Sequence, residues 1–430
     1  MSSIERMISF PLAGEVAWRL GAPPSWRRFK PPLSALAIED DPVVWSADFS
    51  GGAYLRNGAG AALAGMLACV RSSEALMQGT DAGFHSFGPD AAPVLPGIGL
   101  DVWGQFPSLL RSGNNPAAAD WSNTGLSIVD SETTVLGIFN ETILVSGGTL
   151  AARRVQNLVL TSGVPVSVSF LYKAGTSGRG RILLFGSGSD SLILRGVAGN
   201  LLGSSVVGGT LSRLVNSDLG SGIYCCSFTW TPSNPGTGTG VGIGPDSAVA
   251  GSTLVALGVD VVPASIPVPW ISNAASSVTR LASDVAIHDF AALSAAHGLA
   301  AGFAGRDVVD LRRLSDAVPR TVWSRGTDAD NRIALEIGTG NKVRLTVRLG
   351  GADVLTLETA DGFATTGLKT IDYVCADGLW SLAATGLAGA VSAASVAVPA
   401  LGVAHIGRNF GATPAYLNGA IAFSRIERTV

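Results

Sequence analysis

Cysteine and histidine are scarce in this sequence, with four of each among 430 residues. The cysteines, Cys69, Cys225, Cys226 and Cys375, include no CxxC pair, so neither a zinc module nor a disulfide scaffold is indicated. We therefore predict free, buried thiols, no metal centre and no cofactor. The histidines are scattered along the chain and leave little for acid–base chemistry.

Charge and long apolar runs are also in short supply. Charged residues make up 14% of the chain and the formal net charge is −3, so no general basic field is available to hold a nucleic acid. Apolar runs break off before the roughly 18 residues that a membrane-spanning helix needs, and we predict no membrane insertion. The first 20 residues lack the basic start and apolar block of a secretory signal. A protein made in the cytoplasm and carried out on a particle fits this pattern, and so does an ordinary cytoplasmic protein.

Glycine and apolar residues are abundant instead. The chain has 55 glycines and is 47% hydrophobic, a composition typical of short strands joined by tight turns and too apolar for a disordered protein. Its length allows two or three domains. We predict an all-β fold with two β-sandwich domains, preceded by an irregular docking arm and a connector.

The first 40 residues differ from the rest. Tryptophan, arginine and proline cluster there, and proline disfavours both regular helix and central strand. We predict an extended docking arm over residues 1–40, with Trp18, Trp26, Arg27 and Arg28 as anchors of a buried contact with another protein. The alternative is a free or expression-derived tail.

Residues 41–123 are punctuated by glycine and proline, which predicts a turn-rich connector. Within it, the apolar segment 59–69 could be a short helix or a buried strand, since periodicity does not decide between them.

Residues 124–285 show strand patterns. Apolar and polar residues alternate over 166–172 and over 224–231, which predicts half-buried strands and a first sandwich. In the second of these strands, Cys225 and Cys226 point to opposite faces, which argues against a bond between them.

Residues 286–430 predict a second sandwich. Alternation is clearest over 342–349, where Lys342, Arg344 and Arg348 face water. Asp377 and Gly378 predict the tight turn of a hairpin. The segment 293–303 is the best helix candidate.

Two segments flank the first predicted sandwich. Residues 99–112 read Gly-Leu-Asp-Val-Trp-Gly-Gln-Phe-Pro-Ser-Leu-Leu-Arg-Ser, followed at 119–122 by Ala-Asp-Trp-Ser, and residues 279–284 read Thr-Arg-Leu-Ala-Ser-Asp. These segments resemble parts of phage tail and fibre proteins, in which the first segment precedes a carbohydrate-binding-like sandwich and an exposed Thr-Arg segment precedes the second sandwich. The chain departs from their pattern at 106–108, where Phe-Pro-Ser replaces Arg-Thr-Asn.

Near the end of the chain, residues 402–410 read Gly-Val-Ala-His-Ile-Gly-Arg-Asn-Phe and residues 416–423 read Tyr-Leu-Asn-Gly-Ala-Ile-Ala-Phe. These segments resemble the closing strands of concanavalin A-like or laminin-G-like lectin sandwiches, which implies sandwiches of lectin-like, jelly-roll type. Together these resemblances imply a virion structural protein of a phage or gene-transfer particle, a fibre or spike. They imply a homotrimer that sits on the particle exterior, contacts capsid or tail proteins through the arm, and attaches to a host-surface polysaccharide.

Chemistry-bearing clusters are few. A glycoside hydrolase on such a fold needs paired carboxylates, whereas the acidic residues of the last domain are scattered in sequence. We therefore predict a protein that is not an enzyme, and the alternative is a glycan-degrading or glycan-binding bacterial enzyme module. Asp328, Asp330 and Asn331 offer oxygens for calcium, although an ordinary turn explains them too.

Aromatic residues near polar ones are candidates for stacking on sugars. Strand phase places Trp230 and Trp380 in the cores instead. We predict carbohydrate contacts at Trp323, Arg408, Asn409 and Tyr416.

Overall fold

A computed structural model describes most of the chain beyond residue 42. The described residues are 43–79, 84–185, 189–195, 201–205, 208–233, 239–265, 268, 270–271, 279–311, 319–411 and 414–429. The predicted docking arm, with Trp18, Trp26, Arg27 and Arg28, lies outside them.

Short antiparallel strands make up nearly all of the regular structure, which confirms the all-β prediction. The first nine strands are β1 (Val43–Asp48), β2 (Ala53–Arg56), β3 (Ala59–Gly60), β4 (Leu67–Val70), β5 (Ala75–Gln78), β6 (Phe84–Phe87), β7 (Val94–Leu95), β8 (Gly99–Val102) and β9 (Phe106–Pro107). A one-turn helix, α1 (Leu63–Met66), precedes β4.

The middle of the chain contributes the next strands. They are β10 (Ser122–Thr124), β11 (Leu126–Val135), β12 (Phe139–Ser146), β13 (Arg153–Asn157), β14 (Val166–Lys173), β15 (Arg179–Phe185), β16 (Ser189–Arg195), β17 (Leu201–Ser205), β18 (Gly209–Asp218), β19 (Ile223–Pro232), β20 (Gly240–Pro245), β21 (Thr253–Val262) and β22 (Thr279–Arg280).

The last strands follow, with one further helix, α2 (Phe290–His297), after the first of them. They are β23 (Asp284–Ile287), β24 (Gly302–Leu311), β25 (Arg320–Gly326), β26 (Arg332–Ile337), β27 (Lys342–Leu349), β28 (Ala352–Gly362), β29 (Gly367–Ala376), β30 (Leu379–Ala384), β31 (Leu387–Val391), β32 (Val403–Ile406) and β33 (Gly419–Arg428). In the part of the chain that is described, neither helix has the length and apolarity to span a membrane.

The strands from β10 to β21 form one sandwich of two six-stranded sheets. One sheet has the order β10-β13-β20-β15-β16-β17 and the other β11-β12-β21-β14-β19-β18. Alternation puts Phe170 of β14 and Phe228 and Trp230 of β19 in the core between the sheets, as predicted for Trp230. The prediction of a half-buried strand is wrong for β14, which is buried at seven of its eight positions, because a second apolar cluster that includes Leu171 covers its other face.

The other sandwich is built from both ends of the described chain. Its ten-stranded sheet follows the path β3-β2-β1-β33-β24-β29-β30-β31, with β8 beside β33 and β7 beside β8. Its seven-stranded sheet has the order β28-β27-β26-β25-β32-β23-β4. Trp45 of β1 and Leu100 of β8 are fully buried in the shared core.

The predicted connector over residues 41–123 therefore differs from the structure. Strands β1 to β4, β7 and β8 belong to the second sandwich, and the apolar segment 59–69 contains a strand, a helical turn and another strand. The physical reason is that these strands pair with residues far along the chain, such as Trp45 with Ile426, and long-range pairing leaves no local pattern.

A two-stranded ribbon joins the sandwiches. Phe106 and Pro107 of β9 lie opposite Arg280 and Thr279 of β22. The chain enters and leaves the first sandwich through this ribbon, so that sandwich is an insertion between β8 and β23 of the other. The two segments that resemble phage proteins thus meet, but Arg280, expected to be exposed, is 2% exposed.

Predictions from local sequence features are confirmed for one strand and one turn and are wrong for the bounds of the helix. Strand β27 covers the predicted 342–349, and Asp377 and Gly378, both with positive φ, form the predicted hairpin turn between β29 and β30. The helix α2 begins and ends earlier than the predicted 293–303, and Gly298 ends it in a left-handed conformation.

All four cysteines are free thiols, but they are not equally buried. Cys226 and Cys375 are buried, whereas Cys69 and Cys225 are half-buried. Burial raises the pKa of the Cys375 thiol to about 11, so it stays protonated at neutral pH. Cys225 is less buried than Cys226 because it faces away from the core that contains Cys226.

Candidate functional site

Trp323, predicted to stack on a sugar, lies in the core of the second sandwich. It is 2% exposed, and its indole Nε1 donates to Asp307 Oδ2 at 2.8 Å. The Arg325 guanidinium carbon lies 3.9 Å from the centre of its ring. The prediction is wrong for this residue because its strand phase turns the ring inward, against the opposite sheet.

Trp323 belongs to a buried polar cluster between the two sheets. Asp307 also accepts from Ser424 Oγ, and Arg325 donates to the Tyr373 hydroxyl at 2.7 Å. Burial raises the pKa of Asp307, and the opposite charge of Arg325 acts against that shift. These contacts join the two sheets inside the core, where the cluster is closed to solvent, although Arg325 Nε and Nη1 have no hydrogen-bond partner there.

Arg408, Asn409 and Tyr416 do come together, in the loop that follows β32. Arg408 and Tyr416 form an isolated β-bridge, and Asn409 Oδ1 accepts from the Ala415 backbone N–H at 2.8 Å. Arg408 Nη1 lies 2.6 Å from Asp284 Oδ2. The polar groups of Arg408 and Asn409 thus organise the loop itself.

This loop lies over part of the outer face of the seven-stranded sheet. Ser324 Oγ of β25 donates to the Arg408 carbonyl at 2.9 Å, and the His405 and Phe410 rings are 4.8 Å apart, edge to face. Ser324, His405 and Asp284 occupy three adjacent strands, and His405 Nδ1 is 3.1 Å from Asp284 Oδ1. Ser324, His405 and Asp284 have the residue types of a serine nucleophile with its base and carboxylate. Ser324 is fully buried, however, and its hydroxyl is hydrogen-bonded to a carbonyl, so it does not present a nucleophile to solvent.

Beside the loop, the outer face of the same sheet carries a groove of about 210 Å3. Its floor is a row of small side chains that runs across the strands. Ala334 of β26 lies opposite Thr346 of β27, which lies opposite Thr356 of β28. Directly opposed residues share a face, so small residues in register leave a trough perpendicular to the strands.

Charged side chains flank the groove. On one side, Glu336 and Arg344 are opposite each other, with Arg344 Nη2 3.3 Å from Glu336 Oε2. On the other side, Arg348 Nε lies 2.6 Å from Asp353 Oδ1, and Arg332 of β26 lies opposite Arg348. The groove therefore has preset donors and acceptors along both edges.

The three arginines differ in their surroundings. The hydrogen bond with Asp353 raises the pKa of Arg348. Burial, helped by the neighbouring charge of Arg348, lowers the pKa of Arg332, whose guanidinium donates to the Ala329 carbonyl. Arg344 and Arg348 each form an ion pair with an acidic residue of the groove, whereas Arg332 forms none with a described carboxylate.

Sequence reasoning placed Arg344 and Arg348 on the solvent face but did not recognise the groove. Alternation in β26 and β27 identifies which residues face outward. The register that aligns Ala334 with Thr346 depends on how separate strands pair, which alternation within one strand does not specify.

The loop considered for calcium is an ordinary turn in the structure. Asp328 Oδ1 accepts the backbone N–H groups of Asp330 and Asn331, each at 2.8 Å. Within the described ranges, no three His, Cys, Asp or Glu side chains come together as a metal site would require.

No protein-family model and no curated protein sequence matches the chain. Among solved structures, it is similar to domains LG4-5 of the mouse laminin alpha1 chain, with 11% identity, 71% of this chain and 91% of that one covered, and a TM-score of 0.23. It is also similar to a mutant of the GH43 protein BlXynB from Bacillus licheniformis, with 10% identity, 83% and 74% coverage, and a TM-score of 0.23.

A third structure, the LG1-3 region of the laminin alpha2 chain, gives 10% identity, 64% coverage of each chain and a TM-score of 0.21. Superpositions this poor assign the chain to no family and carry no argument about its function. The all-β architecture therefore stands on the observed sheets themselves.

Proposed function

We propose that this protein binds glycans without cleaving them and does so on the exterior of a phage or phage-like particle. The observation that carries the binding role is the groove across β26, β27 and β28, with its floor of small side chains and its charged edges. A sugar chain lying across the strands would meet threonine hydroxyl groups on the floor and guanidinium and carboxylate groups on both sides.

Preorganisation supports this role. Ion pairs hold Arg344 and Arg348 in place, and Thr321 Oγ1 also donates to Glu336 at 3.3 Å, so these groups lose little freedom when a ligand binds. The groove is smaller than the roughly 300–1,000 Å3 of deep ligand pockets. It suits one or two sugar units at modest affinity per site.

The acidic residues of the groove favour binding over hydrolysis. Glu336 and Asp353 each form an ion pair with an arginine. A glycoside hydrolase needs two carboxyl groups placed to flank the glycosidic bond, one as acid and one as base or nucleophile. The alternative function is a glycan-degrading bacterial module, and the presence of both Glu336 and Asp353 in one groove favours it.

The particle assignment rests on the phage-like segments 99–112 and 279–284 and on the Trp- and Arg-rich arm at 1–40. In this proposal the arm docks to capsid or tail proteins and the protein is a homotrimer. Several weak sites on one trimer, and many trimers on a particle, would raise avidity by about 10² or more.

The test compares two tryptophan substitutions in the full chain. Thr346→Trp fills the floor of the groove, whereas Thr370→Trp places the same bulk on the half-buried outer face of the opposite sheet, in β29. Binding is measured against a panel of bacterial capsular polysaccharides and lipopolysaccharide O-chains, with thermal unfolding as a check of folding.

We expect the unmodified chain and Thr370→Trp to bind the same glycan equally, Thr346→Trp to bind at least about tenfold more weakly, and no oligosaccharide to be released. Equal binding by both variants, or no binding to any glycan, contradicts the proposal. Released oligosaccharides would establish the hydrolase alternative.

A further inference from the structure

Two arginines face each other at one edge of the groove. Arg332 and Arg348 are direct cross-strand partners in β26 and β27, and both line the groove. Like charges directly opposite each other on a sheet destabilise it. This sheet keeps such a pair at the edge of a surface depression, where a bound anion would offset the repulsion.

The two arginines are compensated unequally. Arg348 pairs with Asp353, and Arg344 pairs with Glu336. Among the described residues, Arg332 has no carboxylate within ion-pair distance, and its guanidinium donates to the Ala329 carbonyl. Most of its fork is left to a ligand.

The charges around the groove are nearly balanced. Its lining has three arginines, Arg332, Arg344 and Arg348, and two acids, Glu336 and Asp353, and the charge of Asp330, in the turn before β26, also acts on Arg332 and Arg348. A site so close to balance suits a singly charged anion better than a dianionic phosphate.

We infer that the groove selects a sugar that bears a carboxylate, with the carboxylate on the Arg332 guanidinium next to Arg348 and the ring over Thr346 and Thr356. A planar guanidinium donates two parallel hydrogen bonds to a carboxylate, which gives specificity that a neutral hydroxyl does not match. This inference rests on the proposed glycan binding and names its substrate class as a uronate or related acidic sugar.

The experiment uses the full chain and three acidic probes, short fragments of polygalacturonate, alginate and hyaluronan. Each is paired with the same fragment after chemical reduction of its carboxyl groups to alcohols. The variants are Arg332→Gln, Arg332→Lys and, as the matched control, Arg306→Gln. Arg306 is an exposed arginine on the opposite sheet, paired with Asp372.

We expect at least one acidic fragment to bind about tenfold or more tightly than its reduced form, a preference that weakens with added salt. Arg332→Gln should abolish the preference, Arg332→Lys should keep part of it, and Arg306→Gln should leave it unchanged. A ratio of affinities is insensitive to a general loss of folded protein, so it separates recognition from a structural effect.

Equal affinity for acidic and reduced fragments, with both lost in Thr346→Trp, would overturn the carboxylate assignment and leave the proposed glycan binding intact. Tighter binding of a phosphate-bearing teichoic acid fragment than of every acidic fragment would also overturn it. No binding of any fragment, acidic or reduced, would count against this inference, and the polysaccharide panel would then decide the proposed function separately.

Discussion

Arg280 lies directly opposite Phe106 in the ribbon β9–β22, where the chain enters and leaves the inserted sandwich. Burial lowers the pKa of Arg280 to about 10, and the charge of Asp101, at the end of the preceding strand β8, acts against that shift. The ribbon brings the two ends of the insertion together as neighbouring strands. A short turn can therefore bridge them without displacing either.

Excision of the insertion should leave the remaining sandwich folded. Replacing residues 108–278 with Asn-Gly closes the ribbon as a tight hairpin, because this dipeptide adopts the turn that two adjacent strands need. The core of the remaining sandwich consists of residues outside the deleted segment. We expect a monodisperse protein with cooperative thermal unfolding, and aggregation of the shortened chain would contradict the insertion.

One hairpin should lose its support in that variant. Leu76 of β5 and Phe84 of β6 pack on Phe139 and Trp270 of the inserted sandwich. Amide hydrogen exchange in residues 75–78 and 84–87 should therefore become faster, while strands β24 and β33 keep their protection. The same measurement on the full chain is the reference.

Residues 286–430 alone should not fold, although the sequence predicts them as a complete sandwich. That fragment lacks β1, which lies between β2 and β33, and with it the fully buried Trp45 and Phe49. Removing two buried aromatic side chains costs about 3–5 kcal/mol each, comparable to the stability of a whole domain. We expect an aggregated or unfolded fragment by size-exclusion chromatography and circular dichroism.

Addition of residues 43–107 as a separate chain should restore folded material, since these residues supply the missing strands β1 to β4, β7 and β8. A soluble, cooperatively folded 286–430 without this addition would contradict the assignment of those strands to the second core.

The contrast between predicted and observed architecture has a physical origin. Alternation within β27 and the Asp377–Gly378 turn are local features, and both were predicted from the sequence. Strand β1 is buried at all six positions, so it shows no alternation, and its partners lie at the far end of the chain. Periodicity reports how one strand is buried and does not identify its neighbours.

The candidate site follows the same rule. The loop residues Arg408 and Tyr416 lie close in sequence and were predicted together, although they serve the loop. The groove depends on the pairing of β26 with β27 and β28, which puts Ala334, Thr346 and Thr356 in one row. A change of one residue in register would turn each strand over and remove that row.

Substitution of Trp323 should affect stability and leave glycan binding unchanged. Trp323→Phe removes the Nε1 hydrogen bond to Asp307 inside the core, and the cost should be about 1–3 kcal/mol in the free energy of unfolding. Trp380→Phe is the matched control, because its Nε1 donates to a neutral acceptor, the Val396 carbonyl, at the same 2.8 Å.

At neutral pH Trp323→Phe should cost more than Trp380→Phe, since hydrogen bonds to a charged acceptor are the stronger ones. Denaturant unfolding measures both. A loss of glycan affinity in Trp323→Phe with stability unchanged would contradict this prediction and support a sugar contact at Trp323.

Stability should rise as the pH falls below neutrality, in part because of Asp260 in the inserted sandwich. Asp260 accepts from Ser108 Oγ at 2.9 Å and from the Ile271 backbone N–H at 3.1 Å, and so ties the incoming chain to the outgoing chain. Asp260 is 4% exposed, and burial raises the pKa of its carboxyl from 3.8 to about 6, while these hydrogen bonds act against the shift.

Because the folded state holds the Asp260 proton more tightly than the unfolded state, protonation favours folding. The contribution is complete below about pH 4 and is lost as the pH rises through about 6. Between about pH 7.5 and pH 5 it amounts to roughly 1–1.5 kcal/mol. The pKa of Asp307 is raised as well, so a single variant should remove only part of the pH dependence.

We expect Asp260→Asn to flatten the rise in the calorimetric unfolding temperature of the full chain between about pH 7.5 and pH 5. Asp372→Asn, which changes an exposed carboxylate paired with Arg306, is the control and should leave the rise unchanged. An unaltered rise in Asp260→Asn would show that Asp260 is already ionised throughout this range and would contradict the prediction.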